Sequence, residues 1–239
     1  MNELRELEIK HGGVTRRLSY RHGTSDEGVI QQVFQQVDYD LRRLRRCDEI
    51  LAYVGSQHRR GLRPLIVDAG ANIGASSLYF ALAFPTAIVV AIEPEDGNFA
   101  LLQKNVAGFN VRCIKAALSS SPGSARLVDP GIGHWGYRAD PDAGGNLTCV
   151  TMREIFAAER NDVTWPFIVK VDIEGGEASV FDKDTAWVDE TPIIIVELHD
   201  WLLPKAGTAR PFLQCVAARD RDFVMVGENI FSIGNRAFG

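Results

Sequence analysis

The chain has 239 residues, 46% of them hydrophobic and 24% charged, with a formal net charge of −5. That is enough apolar material for one α/β domain with a buried core and a small appendage, and it speaks against disorder. The mild acidity speaks against a nucleic-acid binder, which carries a basic excess or stripe. No apolar run approaches the roughly 20 residues of a membrane span, and the N-terminal MNELRELEIK lacks an apolar signal core. The expectation is a soluble cytoplasmic protein without membrane contact. Cys47, Cys113, Cys149 and Cys215 form no CxxC pair and read as small buried thiols of a reducing compartment.

Residues 1–62 read as a helical N-terminal appendage. It opens on a short hairpin, LEIK–HGG–VTRRLSY. Ser25 then stands as an N-cap, with Asp26 and Glu27 suited to the positive end of a helix that carries Val29, Ile30, Val33 and Val37. A second helical pattern runs from Leu41 to about Gln57. It begins with LRRLRR, which reads as a solvated helix face or as a patch for an anionic substrate or partner. These helices are candidates for covering an active site or for a homodimer contact.

Residues 63–239 alternate strand and helix. PLIVDAG, AIVVAIEP, VRCIKAAL, FIVKVDIEG and PIIIVELHD are continuous apolar runs, as strands of a sheet covered on both faces must be. ASSLYFALAF, DGNFALLQKNV and SVFDKDTAWV are the helices between them, which makes the parallel sheet doubly wound. After the helix TARPFLQCVAARDR, the two apolar runs of DFVMVGENIFSIG fold about Gly227–Glu228 as an antiparallel hairpin. The pattern breaks at an insertion over about 125–152, where ARLVDP and NLTCVTM are strands flanking a long loop.

In such a sheet, ligands bind beyond the carboxyl ends of the strands, where strand order reverses. The loop after the first core strand is Asp68-Ala69-Gly70-Ala71-Asn72-Ile73-Gly74. Gly70 permits a tight turn and close approach to a ligand, and Gly74 permits close packing of the next helix. Asn72 stands where the dinucleotide fingerprint needs its second glycine, so a pyrophosphate is crowded out. The Asp68 carboxylate would repel a phosphate and attract an ammonium group. Glu93 lies about 20 residues past the glycine loop, the place of an acid that binds unphosphorylated ribose hydroxyls. S-adenosylmethionine, with a ribose, a methionine ammonium and no phosphate, suits that charge pattern.

The order IVDAGANIG, AIEPEDGNFALLQKNV, KAALSS, VKVDIEGGE, IIIVELHD resembles the FkbM-type methyltransferases, over most of the chain from about Ser25 onward. The glycine loop is common to all class I methyltransferases, and VDIEGGE is the more specific mark. The resemblance implies a Rossmann-like class I fold, a mostly parallel seven-stranded sheet closed by the antiparallel C-terminal hairpin, with the β insertion. It implies that Asp68, Gly70 and Gly74 hold the methionine end of S-adenosylmethionine and Glu93 its ribose, leaving S-adenosylhomocysteine as product. It places Ala117 and Leu118 near the adenine. The implied acceptor is a hydroxyl of a sugar or secondary metabolite.

Acceptor-side candidates sit at the ends of the fourth and fifth core strands. A hydroxyl nucleophile needs a base, because its own pKa is far above neutrality. Asp172 is placed to orient the acceptor or take its proton, and His199 is the side chain best suited to proton transfer near neutral pH. Glu174 either caps the following helix or contacts the acceptor. Glu197 reads as a structural partner of Lys170. Asp172, Glu174, Glu197, His199 and Asp200 together are an oxygen-rich set able to hold Mg²⁺. Their spacing matches no recognised metal pattern, and no metal is expected. Tyr39, Trp135, Tyr137 and Arg138 are the remaining substrate-side candidates, with the packing of the loop as the plainer role for the aromatic pair. The competing readings are an NAD-dependent oxidoreductase, which would share the acid after the second strand, and a non-catalytic S-adenosylmethionine-binding protein.

Overall fold

The computed structural model describes residues 3–128, the backbone of 138–140, and residues 145–238. In chain order, the hairpin β1 (Leu4–His11) and β2 (Val14–Arg21) precedes helix α1 (Asp26–Ile30), which runs on into a π-helical turn, Gln31–Gln35. A 3₁₀ turn (Leu41–Arg43) leads to α2 (Cys47–Arg59). The core then follows as β3 (Arg63–Ala69), α3 (Ala75–Ala83), β4 (Ile88–Ile92), α4 (Asp96–Asn105) and β5 (Val111–Ile114). A small sheet interrupts it with β6 (Ala117–Leu118), β7 (Gly123–Val128), β8 (Arg138–Asp140) and β9 (Leu147–Val150). The chain closes with α5 (Met152–Glu159), β10 (Thr164–Val171), α6 (Glu177–Phe181), α7 (Trp187–Glu190), β11 (Ile193–Glu197), α8 (Arg210–Ala217), β12 (Arg221–Val226) and β13 (Asn229–Gly234).

The main sheet has seven strands in the order β12-β13-β11-β10-β3-β4-β5. All neighbours are parallel except β13, which runs antiparallel to both β11 and β12. This is the class I methyltransferase architecture expected from the sequence. Strand order reverses between β3 and β10, so their carboxyl ends open a crevice there.

Alternation sorts the two faces. Leu65, Val67, Val169, Val171, Ile194 and Val196 pack under α5, α6 and α8. Ile66, Ile168, Ile193 and Ile195 pack on the other face, in a cluster that also takes Ile9, Leu18, Ile30, Val33 and Tyr39 from the N-terminal region. The appendage therefore shares its core with the sheet. This explains why every residue of α3 from Ala75 to Leu82 is buried. A helix apolar all round must be covered on both sides, and here the sheet lies under it and the N-terminal elements over it.

Several local expectations are corrected. Ser25 makes no side-chain cap; the Thr24 hydroxyl instead accepts the Asp26 N–H (3.2 Å). Asp26 does more than sit near a helix dipole: fully buried, it receives the Arg21 backbone N–H and two guanidinium bonds at 2.8–2.9 Å. LRRLRR is not a helix face. The Asp40 carboxylate accepts the Arg42 N–H and opens a 3₁₀ turn, and the helix starts only at Cys47. Three of its four arginines are tied down, Arg42 to Asp40, Arg43 to Asp38, and Arg46 to Glu49 and Asp222. The third core strand ends at Ile114, because Ala117–Leu118 pairs with β9 instead. The helix after VDIEGGE is broken into α6 and α7. Among the described residues, no helix is long and apolar enough to cross a membrane.

Candidate functional site

A cavity of about 610 Å³ opens at the switch point, within the size range of small-molecule sites. The loop after β3 forms one wall. Gly70 has φ +75°, and a Cβ there would lie 1.7 Å from the Asp172 carbonyl oxygen, so the loop touches the end of β10 only because this residue is glycine. Gly74 caps α3, and a Cβ on it would meet Leu102 Cδ1 at 2.7 Å. The close packing it permits is thus against α4.

Glu93, at the end of β4, is the hinge of the cofactor side. It lines the cavity and is 4% exposed. Its carboxylate accepts the Asn72 N–H (2.8 Å) and the Glu95 N–H (3.0 Å). Asn72 takes a left-handed conformation (φ 49°), and its Oδ1 accepts the Ile73 N–H. Burial pushes the Glu93 carboxyl up to about 7, against the lowering effect of those amides. Each carboxylate oxygen accepts more than one bond, so acceptor capacity remains for the two hydroxyls of a ribose. Asn98 Nδ2 approaches Glu93 at 3.4 Å, while its Oδ1 accepts from Arg21 (2.5 Å). That chain ties the N-terminal hairpin to the acid, a link no local pattern in the sequence announces. Ala117, Leu118, Ala125 and Cys149, from the small sheet, form an apolar wall beyond Glu93 suited to a flat base.

Asp68 does not line the cavity. It is wholly buried, and its Oδ2 accepts from the Ser76 and Ser77 hydroxyls, each at 2.6 Å. Lys170 lies 3.2 Å from Asp68 and 3.3 Å from Asp172, and donates to the Gly70 carbonyl (2.9 Å). The expected attraction of Asp68 for an ammonium group is therefore corrected: its charge is spent on Lys170 beneath the loop. The expected Glu197–Lys170 pair is corrected by the same contact. In this set of bonds, Lys170 is a strut that joins β3, β10 and the glycine loop.

On the acceptor side, Asp172, Glu174, Glu197 and Tyr39 all line the cavity. Glu174 has φ +56°, a conformation costly for a non-glycine residue. Burial, and then the Asp172 charge, push its carboxyl up to about 8. The Glu197 carboxyl is also raised, chiefly by burial. Burial pushes the Tyr39 phenol up, and its ring faces the Lys170 ammonium at 6.0 Å. His199 is fully buried and does not line the cavity. Its Nδ1 lies 2.8 Å from Glu177, and its Nε2 is 3.3 Å from Glu174, 3.5 Å from Glu197 and 3.7 Å from Asp172. Burial lowers its pKa, but Glu177, Glu197 and Asp172 outweigh that and push it up to about 11. Buried behind those acids and off the cavity wall, the ring is not placed to take a proton from an acceptor in the cavity.

Glu177, the last acid of VDIEGGE and a candidate from the end of the fourth core strand, lies beneath His199 and does not line the cavity. Gln31, Gln32 and Gln36, which face the cavity from the N-terminal segment, were missed by sequence reasoning. Trp135 and Tyr137 lie outside the described residues, and of Arg138 only the backbone is described, in β8.

The chain is similar to methyltransferase sdnD of Sordaria araneosa (41% identity over 27% of each chain). It is also similar to hexuronic acid methyltransferase AglP of Haloferax volcanii (31% identity over 59% of this chain and 58% of that one). The matches thus span less than two thirds of either relative. Among solved structures it resembles the plantazolicin methyltransferase BpumL in complex with SAH, with a TM-score of 0.40 and 9% identity over 88% of this chain and 99% of that one. The methyltransferase FkbM domain model matches residues 68–225, from the glycine loop to the closing hairpin. With that match over most of its length, the chain belongs to the FkbM methyltransferase domain family.

Proposed function

We propose that the protein is an S-adenosylmethionine-dependent methyltransferase acting on a hydroxyl of a small polyhydroxylated acceptor, a sugar or secondary metabolite. The observation that carries the donor is Glu93, held by two backbone amides at the switch-point cavity of a family-matched fold. The observation that carries the acceptor is the opposite wall. Three glutamines, Asp38, Tyr39 and Glu228 offer hydrogen bonds there. Lys170 is the only basic side chain lining the cavity among the described residues, and Asp68 and Asp172 already engage it. Such a wall suits neutral hydroxyls. The name of the Haloferax relative points to the same sugar-like class.

The donor, when bound, supplies an electrophilic methyl carbon on a sulfonium. The chain's residues hold it against the acceptor and keep water out. Asp172, with 20% of its side chain exposed beside the cavity, takes the hydroxyl proton as the acceptor oxygen bonds to the methyl carbon. The bound donor would release the methyl group, its sulfur leaving with the electron pair of the carbon–sulfur bond. Asp172→Asn is expected to lower kcat by about 10²- to 10⁴-fold, the usual worth of a general base. Calorimetry should find donor affinity within about threefold of wild type, since the change is isosteric. Unchanged turnover would remove Asp172 from the chemistry. Methyl transfer to amines but not hydroxyls would remove the O-methyl reading.

Glu93 makes donor binding pH-dependent. Its folded carboxyl is raised to about 7 from 4.5, so between those values the fold holds a proton that the unfolded chain has lost. That contribution to stability is present below the unfolded value and is lost as pH rises through about 7. Ribose hydroxyls donate to the ionised form, so binding below that point must expel the proton. Donor affinity should fall about tenfold per pH unit as pH drops from about 7 to 5. Glu93→Gln should flatten that slope, as read by titration at several pH values.

A further inference from the structure

The carboxylates around His199 are more numerous than donor binding or proton transfer needs. Asp172, Glu174, Glu177 and Glu197 surround its ring. The bases among them are His199 itself and Lys170, which is already shared with Asp68. Unpaired buried charge of this kind is costly.

The ring's two nitrogens are treated differently. Nδ1 is held at 2.8 Å by Glu177, whose side chain is 0% exposed. Nε2 is buried, aims among three carboxylates, and has no hydrogen-bond partner. Glu174 Oε2, in a residue 8% exposed, is also buried without one. Ligand atoms of Asp172, Glu174 and His199 lie within 4.8 Å of one another. The individual spacings from Nε2 are 3.3 Å to Glu174 and 3.7 Å to Asp172. An octahedral cation with bonds of about 2.1 Å has ligand–ligand edges of about 3 Å. A small contraction of the cluster therefore closes it on an ion.

We propose that Asp172, Glu174 and His199 Nε2 form a site for one divalent cation of the magnesium–manganese class, bordered by Glu197. Two carboxylates and an imidazole are hard and borderline ligands suited to that class. Glu177 is the positioning residue: by accepting from Nδ1–H it turns the Nε2 lone pair toward the ion, the usual arrangement behind a metal-bound histidine. Asp172 and Glu174 line the cavity, so the remaining coordination positions open toward it. On the methyl-transfer reading, the cation would bind the acceptor's oxygen and offset the negative wall against which that oxygen must lose its proton.

The site itself does not depend on that reading, and its test needs neither donor nor acceptor. The full chain, stripped with a chelator, is titrated with Mn²⁺ while free ion is followed by electron paramagnetic resonance. One ion per chain is expected, displaced by excess Mg²⁺. Glu174→Gln should weaken binding at least tenfold, and Glu177→Gln, which touches no ion, by roughly 10- to 100-fold through the ring. Circular dichroism checks that each variant folds, and a rise in the wild-type melting temperature with Mn²⁺ is the second readout. No binding by the wild type up to about 1 mM Mn²⁺, or binding unchanged by Glu174→Gln, would overturn the site. Either result leaves the methyl-transfer reading standing.

Discussion

Gly70→Ala is expected to destabilise the protein by at least about 3 kcal/mol and to weaken donor binding more than tenfold. Two costs add. The left-handed φ of +75° costs an alanine about 1 kcal/mol. The larger cost is contact, because the new Cβ would sit 1.7 Å from the Asp172 carbonyl oxygen and 2.8 Å from its carbon. Backbone cannot rotate away as a side chain can, so either the glycine loop or the end of β10 must move. The loop carries Asn72, whose N–H holds Glu93, and β10 carries Asp172. Movement of either one disturbs the site. Gly108→Ala is the control, since Gly108 has φ +84° but nothing within 4 Å of a Cβ. It should cost only the conformational part. Urea denaturation of both variants separates the two terms, and equal losses would contradict the contact.

Lys170→Met should cost about 3–5 kcal/mol, the range for breaking a buried ion pair from one side. Methionine keeps the volume and removes the charge. Lys170 is 2% exposed, and Asp68 is fully buried. With the ammonium gone, Asp68 Oδ1 keeps no ionic partner, since the serine hydroxyls both bond to Oδ2. The Gly70 carbonyl also loses its donor. Adding Asp68→Asn to Lys170→Met should recover part of the loss, because the stranded charge is then removed too. A surface pair such as Arg42–Asp40, whose arginine side chain is 72% exposed, should cost less than about 1 kcal/mol when cut. If Lys170→Met cost no more than that, Lys170 would not be a strut.

The strands of the sheet were legible because each carries a short apolar run, from Leu65–Val67 in β3 to Ile193–Val196 in β11. Of the polar residues at the strand ends, Glu93, Asp172 and Glu197 line the cavity, while Asp68 is buried beneath the loop. The place of Glu93 just after β4, on the cavity wall, was legible, since its distance from the glycine loop follows from one crossover. Lys170 was not. Alternation puts Asp68 and Glu197 on the same face as Lys170, so the sequence allows either partner. Strand register decides: Lys170 stands opposite Asp68 on β3 and Ile195 on β11, which leaves Glu197 two residues farther along.

His199 was misread for a related reason. Its ring is held by Glu177, 22 positions away in sequence and 2.8 Å from its Nδ1, brought beneath it by the turn after β10. Periodicity reports which face a residue takes and says nothing of such partners. The early helix was misplaced at LRRLRR because Asp40 bonds the Arg42 N–H and diverts the chain into a 3₁₀ turn. The glutamines of the π-helical turn carry no motif; only the fold brings them to the cavity.

On the proposed reading, the cavity at the β3–β10 switch point binds S-adenosylmethionine through Glu93. Calorimetric titration near pH 8 tests it most directly. The account predicts one binding site per chain for S-adenosylmethionine and for S-adenosylhomocysteine, at least tenfold weaker in Glu93→Ala and absent for NAD. Binding of NAD in their place, or S-adenosylmethionine affinity untouched by Glu93→Ala, would contradict it.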